Sequence, residues 1–220
     1  MKAIDFESKN IPVLNLQSKV REAMDLMSER NVYDLPVVEQ KNPLGVVSRN
    51  QLLLLPPNET IGAHFIHKPQ YRIFREAHWM EVFRLFNNLE HTLIPLVDVG
   101  LEYCGSIELR EFLSKLSTLE MFSTPGAILL IESGLRDFSL SEVARIAEAN
   151  SVSILECHIN TNQEQQKVEV SLKLNRTELK SLMATYERYG YVIKNSFMRD
   201  TSEDDYLQQR YDMLMKFLNI

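Results

Sequence analysis

Cysteine is scarce in this chain: Cys104 and Cys157 are the two thiols among 220 residues. That excludes the disulfide framework that staples small secreted domains, and both sit inside apolar stretches, as free thiols of a reducing compartment do. Long apolar runs are also missing. The longest candidate, Ala127–Ile131, is strand-sized and far short of the roughly 20 residues that cross a bilayer, so no membrane partner is expected. Glycine and proline, at 7 and 8, are too few for a fibrous or low-complexity chain. Positive charge is in deficit, with 24 Lys and Arg against 30 Asp and Glu, net −6, and no basic cluster, so nucleic acid is not an expected partner. The opening Met1–Glu7 mixes charge with single apolar residues and lacks the apolar stretch of a signal peptide, which places the chain in the cytoplasm.

Recognisable catalytic patterns are absent as well. No Gly-rich phosphate loop, no Gly-x-Ser-x-Gly elbow and no His-Glu-x-x-His stands in the sequence. His64 and His67 have a spacing that could share a metal, but His78, His91 and the cysteines add no companion of zinc-site spacing, so these histidines read as surface residues. No carboxylate pair is singled out as acid and base. The expectation is a protein without catalytic activity.

What the sequence does hold is a repeat. Leu35-Pro36-Val37-Val38-Glu39 returns as Ile94-Pro95-Leu96-Val97-Asp98, the prolines 59 positions apart. Upstream, apolar residues recur every three or four positions as helices require: Val20, Ala23, Met24, Met27 in one copy and Trp79, Val82, Phe83, Phe86 in the other. Downstream, Leu44–Ser48 and Tyr103–Ile107 are second strands carrying Gly45 and Gly105, each followed by an apolar helix start, at Leu52–Leu55 and at Phe112-Leu113. The unit reads strand, helix, strand, strand, helix.

This order, with an L-P-V-V strand and then a Gly-apolar-apolar-Ser strand, resembles the cystathionine-β-synthase (CBS) repeat, two of which pair into one module. The resemblance spans a region of residues 1–120, with repeats at about 8–60 and 61–118. It implies a regulatory role with an adenosine nucleotide such as AMP or ATP, or S-adenosylmethionine, in a cleft between repeats. In nucleotide-binding members the second strand ends in Ser or Thr, and an Asp three residues later holds the ribose. Here those positions are Ser48 and Gln51 in the first repeat, with Arg49 beside them as a forked phosphate donor. In the second they are Glu108 and Glu111, two acids that would repel phosphate, so the first repeat's cleft is favoured. The same residues also suit helix starts, where hydroxyls and acids meet unpaired N–H groups.

Past Ser123-Thr124-Pro125-Gly126 the pattern changes. Ala127–Ile131 is a buried-type strand, Ser139-Leu140-Ser141-Glu142 a capping box, and Asn150 a helix end. Val152–Ile159 and the strictly alternating Lys167–Leu174 follow as strands, then a helix over about 177–188, and Tyr191-Val192-Ile193 begins the last strand. The order βαββαβ is ferredoxin-like. Coming after a CBS pair, residues 126–198 resemble the ACT domain, as in acetoin-utilisation-type regulatory proteins, which implies small-metabolite sensing in paired domains. ACT domains carry Pro-Gly before the first helix; this chain has Asp137-Phe138, leaving Gly134 and Asp137 as candidate ligand contacts. The tail, 202–220, places Leu207, Tyr211, Leu214 and Leu218 on one helical stripe that suits a homodimer contact. The fold class expected is thus α+β, paired βαββα repeats followed by a βαββαβ domain. Its function is ligand sensing, or else a ligand-free dimeric scaffold acting on a regulated protein.

Overall fold

The computed structural model describes residues 1–65, 72–87 and 90–197; His67 and the tail at 202–220 lie outside them. The chain divides into two compact units, Met1–Ser117 and Thr118–Ile220.

In the first unit, helix α1 (Val20–Arg30) buries Val20, Ala23 and Met27 and stops where Asn31 takes a left-handed φ of 54°. An antiparallel hairpin follows, β1 (Asp34–Glu39) and β2 (Asn42–Ser48), and then the single turn α2 (Arg49–Leu52). The second repeat contributes β3 (Ile73–Phe74), α3 (Trp79–Asn87), β4 (Leu93–Val97), β5 (Tyr103–Glu108) and α4 (Leu109–Leu116). The two copies correspond in register, with one extra residue in the hairpin loop of the second, where Gly45 and Gly105 are 60 positions apart. Leu14 bridges Val37 in parallel, and Ile73 pairs in parallel with Leu96, each partner shifted by the same 59 positions. A bulge between Val37 and Val38 recurs between Leu96 and Val97. Opposite each bulge stands a glycine, Gly45 at φ 153° and Gly105 at φ 154°. A Cβ on Gly105 would lie 2.4 Å from Glu7 Oε1, so the close approach and the backbone angle together reserve this place for glycine.

Three features depart from the expected repeat. The opening strand of the first copy shrinks to the Leu14 bridge, leaving a two-stranded sheet of β1 and β2. The start of the chain packs on the second copy: Ala3 N–H donates to Ala77 O at 2.8 Å, Ile4 N–H to Arg75 O at 3.0 Å and Ser8 N–H to Ser106 O at 2.8 Å. Phe6 is fully buried with its ring 4.9 Å from that of Phe112. Lys2 bridges His78 here as Thr60 bridges Lys19 in the first copy. Local periodicity cannot report such pairing, because the partners are far apart along the chain. Finally, two apolar runs divide. Val82 and Phe86 are buried but Phe83 is 53% exposed, since one residue turns the helix by roughly 100° and carries Phe83 off the buried face. Leu52 is buried, but α2 ends there and Leu54 is 85% exposed.

The second unit opens on a short helix, α5 (Glu120–Ser123), and continues as β6 (Ile128–Gly134), α6 (Leu140–Ala149), β7 (Ile154–Asn162), β8 (Lys167–Leu174), α7 (Lys180–Arg188) and β9 (Val192–Phe197). The strands form one antiparallel sheet in the order β7-β8-β6-β9. The alternation of β8 emerges as expected, with Val168, Val170, Leu172 and Leu174 buried. Helix α6 starts on Ser139, whose Oγ accepts the Glu142 N–H, and ends at Asn150. Gly126 is sterically required: a Cβ there would fall 1.8 Å from Leu174 O. Cys104 and Cys157 are free and half-buried, and burial pushes both thiols up.

Tyr186 and Tyr191 meet edge to face in this core, ring centroids 5.6 Å apart. Burial pushes both phenols above the ordinary value of 10.0, and for Tyr191 the Glu142 carboxylate adds to it. The fold thus favours the neutral phenol. Its contribution to stability is full below about pH 10 and is lost as pH climbs from there towards the raised folded-state values. Melting temperatures are expected to fall steadily over that alkaline range; a melting temperature constant up to about pH 11 would show that both phenols ionise as freely folded as unfolded.

Candidate functional site

Each candidate pair from the sequence sits where a strand runs into a helix. Ser48 Oγ accepts the Gln51 N–H at 3.3 Å, while the Ser48 N–H donates to Gln51 Oε1 at 2.9 Å, a reciprocal cap. In the second repeat, Glu108 Oε2 accepts the Glu111 N–H at 3.0 Å, and the Glu108 N–H donates to Ser8 Oγ at 2.9 Å. Arg49 is anchored by its backbone N–H on Tyr33 O at 2.8 Å, as Leu109 is on Thr92 O at 2.8 Å.

Two cavities adjoin these starts. The first, about 240 Å³, is lined by Gln51, Leu55, Ile61, His64, Phe65 and His91 among others. The second, about 490 Å³, includes Lys9, Arg30, Val32, Glu108, Arg110 and Glu111. Gln51 and Glu111 are repeat equivalents, and so are Val32 and His91. The operation that carries one repeat onto the other therefore carries one cavity onto the other. Each is walled by the helix start of one copy and by the residues that precede the hairpin of the other. Of the first-repeat candidates, Gln51 lines its cavity and Ser48 and Arg49 do not; Glu108 and Glu111 both line theirs. The first cavity is mainly apolar with a few polar side chains, the usual composition of a small-molecule site. The second gathers three cations, Lys9, Arg30 and Arg110, and three carboxylates, Glu29, Glu108 and Glu111.

His91 was expected at the surface, and the structure corrects this. It is 7% exposed, its Nδ1 lies 3.0 Å from Asp34 Oδ1, and Asp34 is 3% exposed. Asp34 Oδ2 accepts the Thr92 N–H at 2.7 Å and its Oγ1–H at 2.6 Å. A polar stretch hid the residue, because its partner belongs to the other repeat. A signal did exist: aligning the copies sets His91 against Val32 and Asp34 against Leu93, so each polar residue faces an apolar equivalent. His78 is exposed, and His64 pairs with Glu59.

In the second unit the Asp137 N–H donates to Gly134 O at 3.0 Å. The exposed carboxylate folds back over the glycine, where a Cβ would lie 2.7 Å from Asp137 Oδ2. Phe138 packs partly buried against the core. Among the described residues there is no cluster of three metal-ligating side chains, and no helix is long and apolar enough to cross a membrane.

The family model for the CBS domain matches residues 3–57. Among solved structures, a CBS domain pair/ACT domain protein from Thermotoga maritima is similar at 22% identity over 53% of this chain and 96% of its own, with a TM-score of 0.48. CBSX2, from Arabidopsis thaliana, in complex with AMP is similar at 20% identity over 54% and 98%, TM-score 0.49. The CBS domains of a transcriptional regulator from Streptococcus pneumoniae are similar at 15% identity over 52% and 98%, TM-score 0.48. No curated protein matches the chain.

Proposed function

We propose that this is a non-catalytic regulatory protein whose first unit, a CBS pair, senses an adenosine-containing metabolite such as AMP, ATP or S-adenosylmethionine. The second unit is ferredoxin-like and ACT-like, and the chain acts as a homodimer on a regulated protein. The observation that carries the reading is the first cleft, set between the repeats, with apolar walls for a flat base and Gln51 and His91 contributed by opposite copies. Gln51 keeps two amide N–H donors for ribose hydroxyls while its oxygen caps Ser48. Arg49, the candidate phosphate partner, stands two residues away. Gly134 and Asp137 are the corresponding small-molecule candidates in the second unit.

Calorimetry and thermal shift against AMP, ATP and S-adenosylmethionine test this. At a hundredfold excess over Kd, binding adds about 2.7 kcal/mol, a rise of several degrees. Gln51→Ala is expected to weaken it about five- to tenfold, by losing hydrogen bonds worth about 1 kcal/mol. No heat with any of the three would overturn the reading. A second reading, a ligand-free dimeric scaffold, is favoured by one observation: both candidate pairs already serve as helix caps. A flat screen together with a dimeric mass in solution would select it.

A further inference from the structure

Each repeat leaves the same two apolar positions open. In the first, Met24 on α1 is half-buried and Leu53, directly after α2, is 63% exposed; together with Leu55 they line a mainly apolar groove. Their equivalents in the second are Phe83 on α3, 53% exposed, and Leu113 on α4, 47% exposed. The two elements meet there as well, the Phe83 ring lying 6.4 Å from that of Phe112. A lone exposed apolar residue needs no explanation, but the same pair left open in both copies describes a surface suited to contact.

At the rim of this surface the copies differ in sign. Asp25 follows Met24, and its equivalent Arg84 follows Phe83. Both are exposed, and among the described residues neither has an ion-pair partner. A twofold dimer can join such faces in two ways, like repeat on like or first repeat on second. Where helices cross at Met24 or Phe83, the next residue lies only about 1.5 Å further along the axis and so stays near the crossing. Joining like on like gathers two Asp25 carboxylates at one crossing and two Arg84 guanidiniums at another. Joining first on second sets Asp25 against Arg84 at both. Resting on the reading that the chain is a homodimer, we propose that this face is where the second copy docks. The first repeat of each copy lies on the second repeat of the other, and Asp25 and Arg84 set that orientation. The apolar pairs supply the burial and the rim charges the choice of register, the usual division of labour at an interface.

The experiment uses the full chain and reads the dimer dissociation constant by sedimentation equilibrium, with far-ultraviolet dichroism as the check on folding. Leu53→Glu and Leu113→Glu fall at exposed positions and are expected to leave the spectrum unchanged. Each places two charges in the interface and should raise the constant at least about a hundredfold. Asp25→Arg and Arg84→Asp each turn two attractions into two repulsions and should weaken the dimer about tenfold, while both exchanges in one chain restore it to within about threefold. Single exchanges that change nothing mark a dimer joined like on like, where one repulsion merely replaces another, and overturn the orientation. A double exchange that fails to restore the dimer overturns the pairing of Asp25 with Arg84. A dimer that tolerates both Leu53→Glu and Leu113→Glu meets elsewhere, leaves this face to another partner and overturns the docking surface alone. Wild-type protein that sediments as a monomer overturns the homodimer reading and this inference with it.

Discussion

Asp34→Ala is expected to cost the first unit several kcal/mol, since each buried donor that loses its acceptor costs about 1–3 kcal/mol. The loss has a specific anatomy. The carboxylate is 3% exposed and accepts from three donors, His91 Nδ1, the Thr92 amide and the Thr92 hydroxyl. Alanine would leave all three facing a cavity too enclosed for free hydration. Native domains are stable by only about 5–15 kcal/mol, so this change takes a large share of the margin. Trp79 is the single tryptophan and lies on α3 of the first unit, so its fluorescence in a urea titration follows the unit concerned. A variant within about 1 kcal/mol of wild type would mean that the pair behaves as a solvated one.

Tyr186→Ala carries an effect of similar size in the second unit, about 3–5 kcal/mol as for large aromatic truncations. Tyr186 is fully buried, stacks edge to face on Tyr191, and its hydroxyl donates to Val143 O at 2.9 Å. Tyr186→Phe separates the contributions: the ring stays and one hydrogen bond goes, at about 1 kcal/mol. Near-ultraviolet dichroism of the tyrosines during denaturation reads both. Equal losses for Phe and Ala would assign the stabilisation to the hydroxyl and not to the ring.

Some of this architecture could be read from residues alone, for a physical reason that varies along the chain. The repeat was legible because each copy spells its own periodicities: Val20, Ala23, Met27 on a helix, then a Pro-containing strand, then a glycine opposite a bulge. The strictly alternating β8 was legible because one face of its sheet is covered and the other is not. The start of α7 was misplaced by three residues, from 177 to Lys180, as happens where no strong cap marks the first turn. The caps at Ser48 and Glu108 were legible because their partners lie three residues on. His91 was not, since what makes it a buried residue is Asp34, which local patterning never brings near it. Phe83 was misjudged for the opposite reason: the stripe was real, but its width was overestimated by one position.

The packing of residues 2–8 on the second repeat has a consequence for the order of events during synthesis. Phe6 leaves the ribosome about a hundred residues ahead of the ring it packs against, Phe112, and Ala3 and Ser8 likewise precede their hydrogen-bonding partners Ala77 and Ser106. The first repeat has its own closing segment, Ile61–Ala63, and can settle as soon as that segment appears. The nascent chain thus carries an unplaced apolar segment past one finished half of the unit until the other half is complete, and the long loop this closes makes docking of that segment a late step.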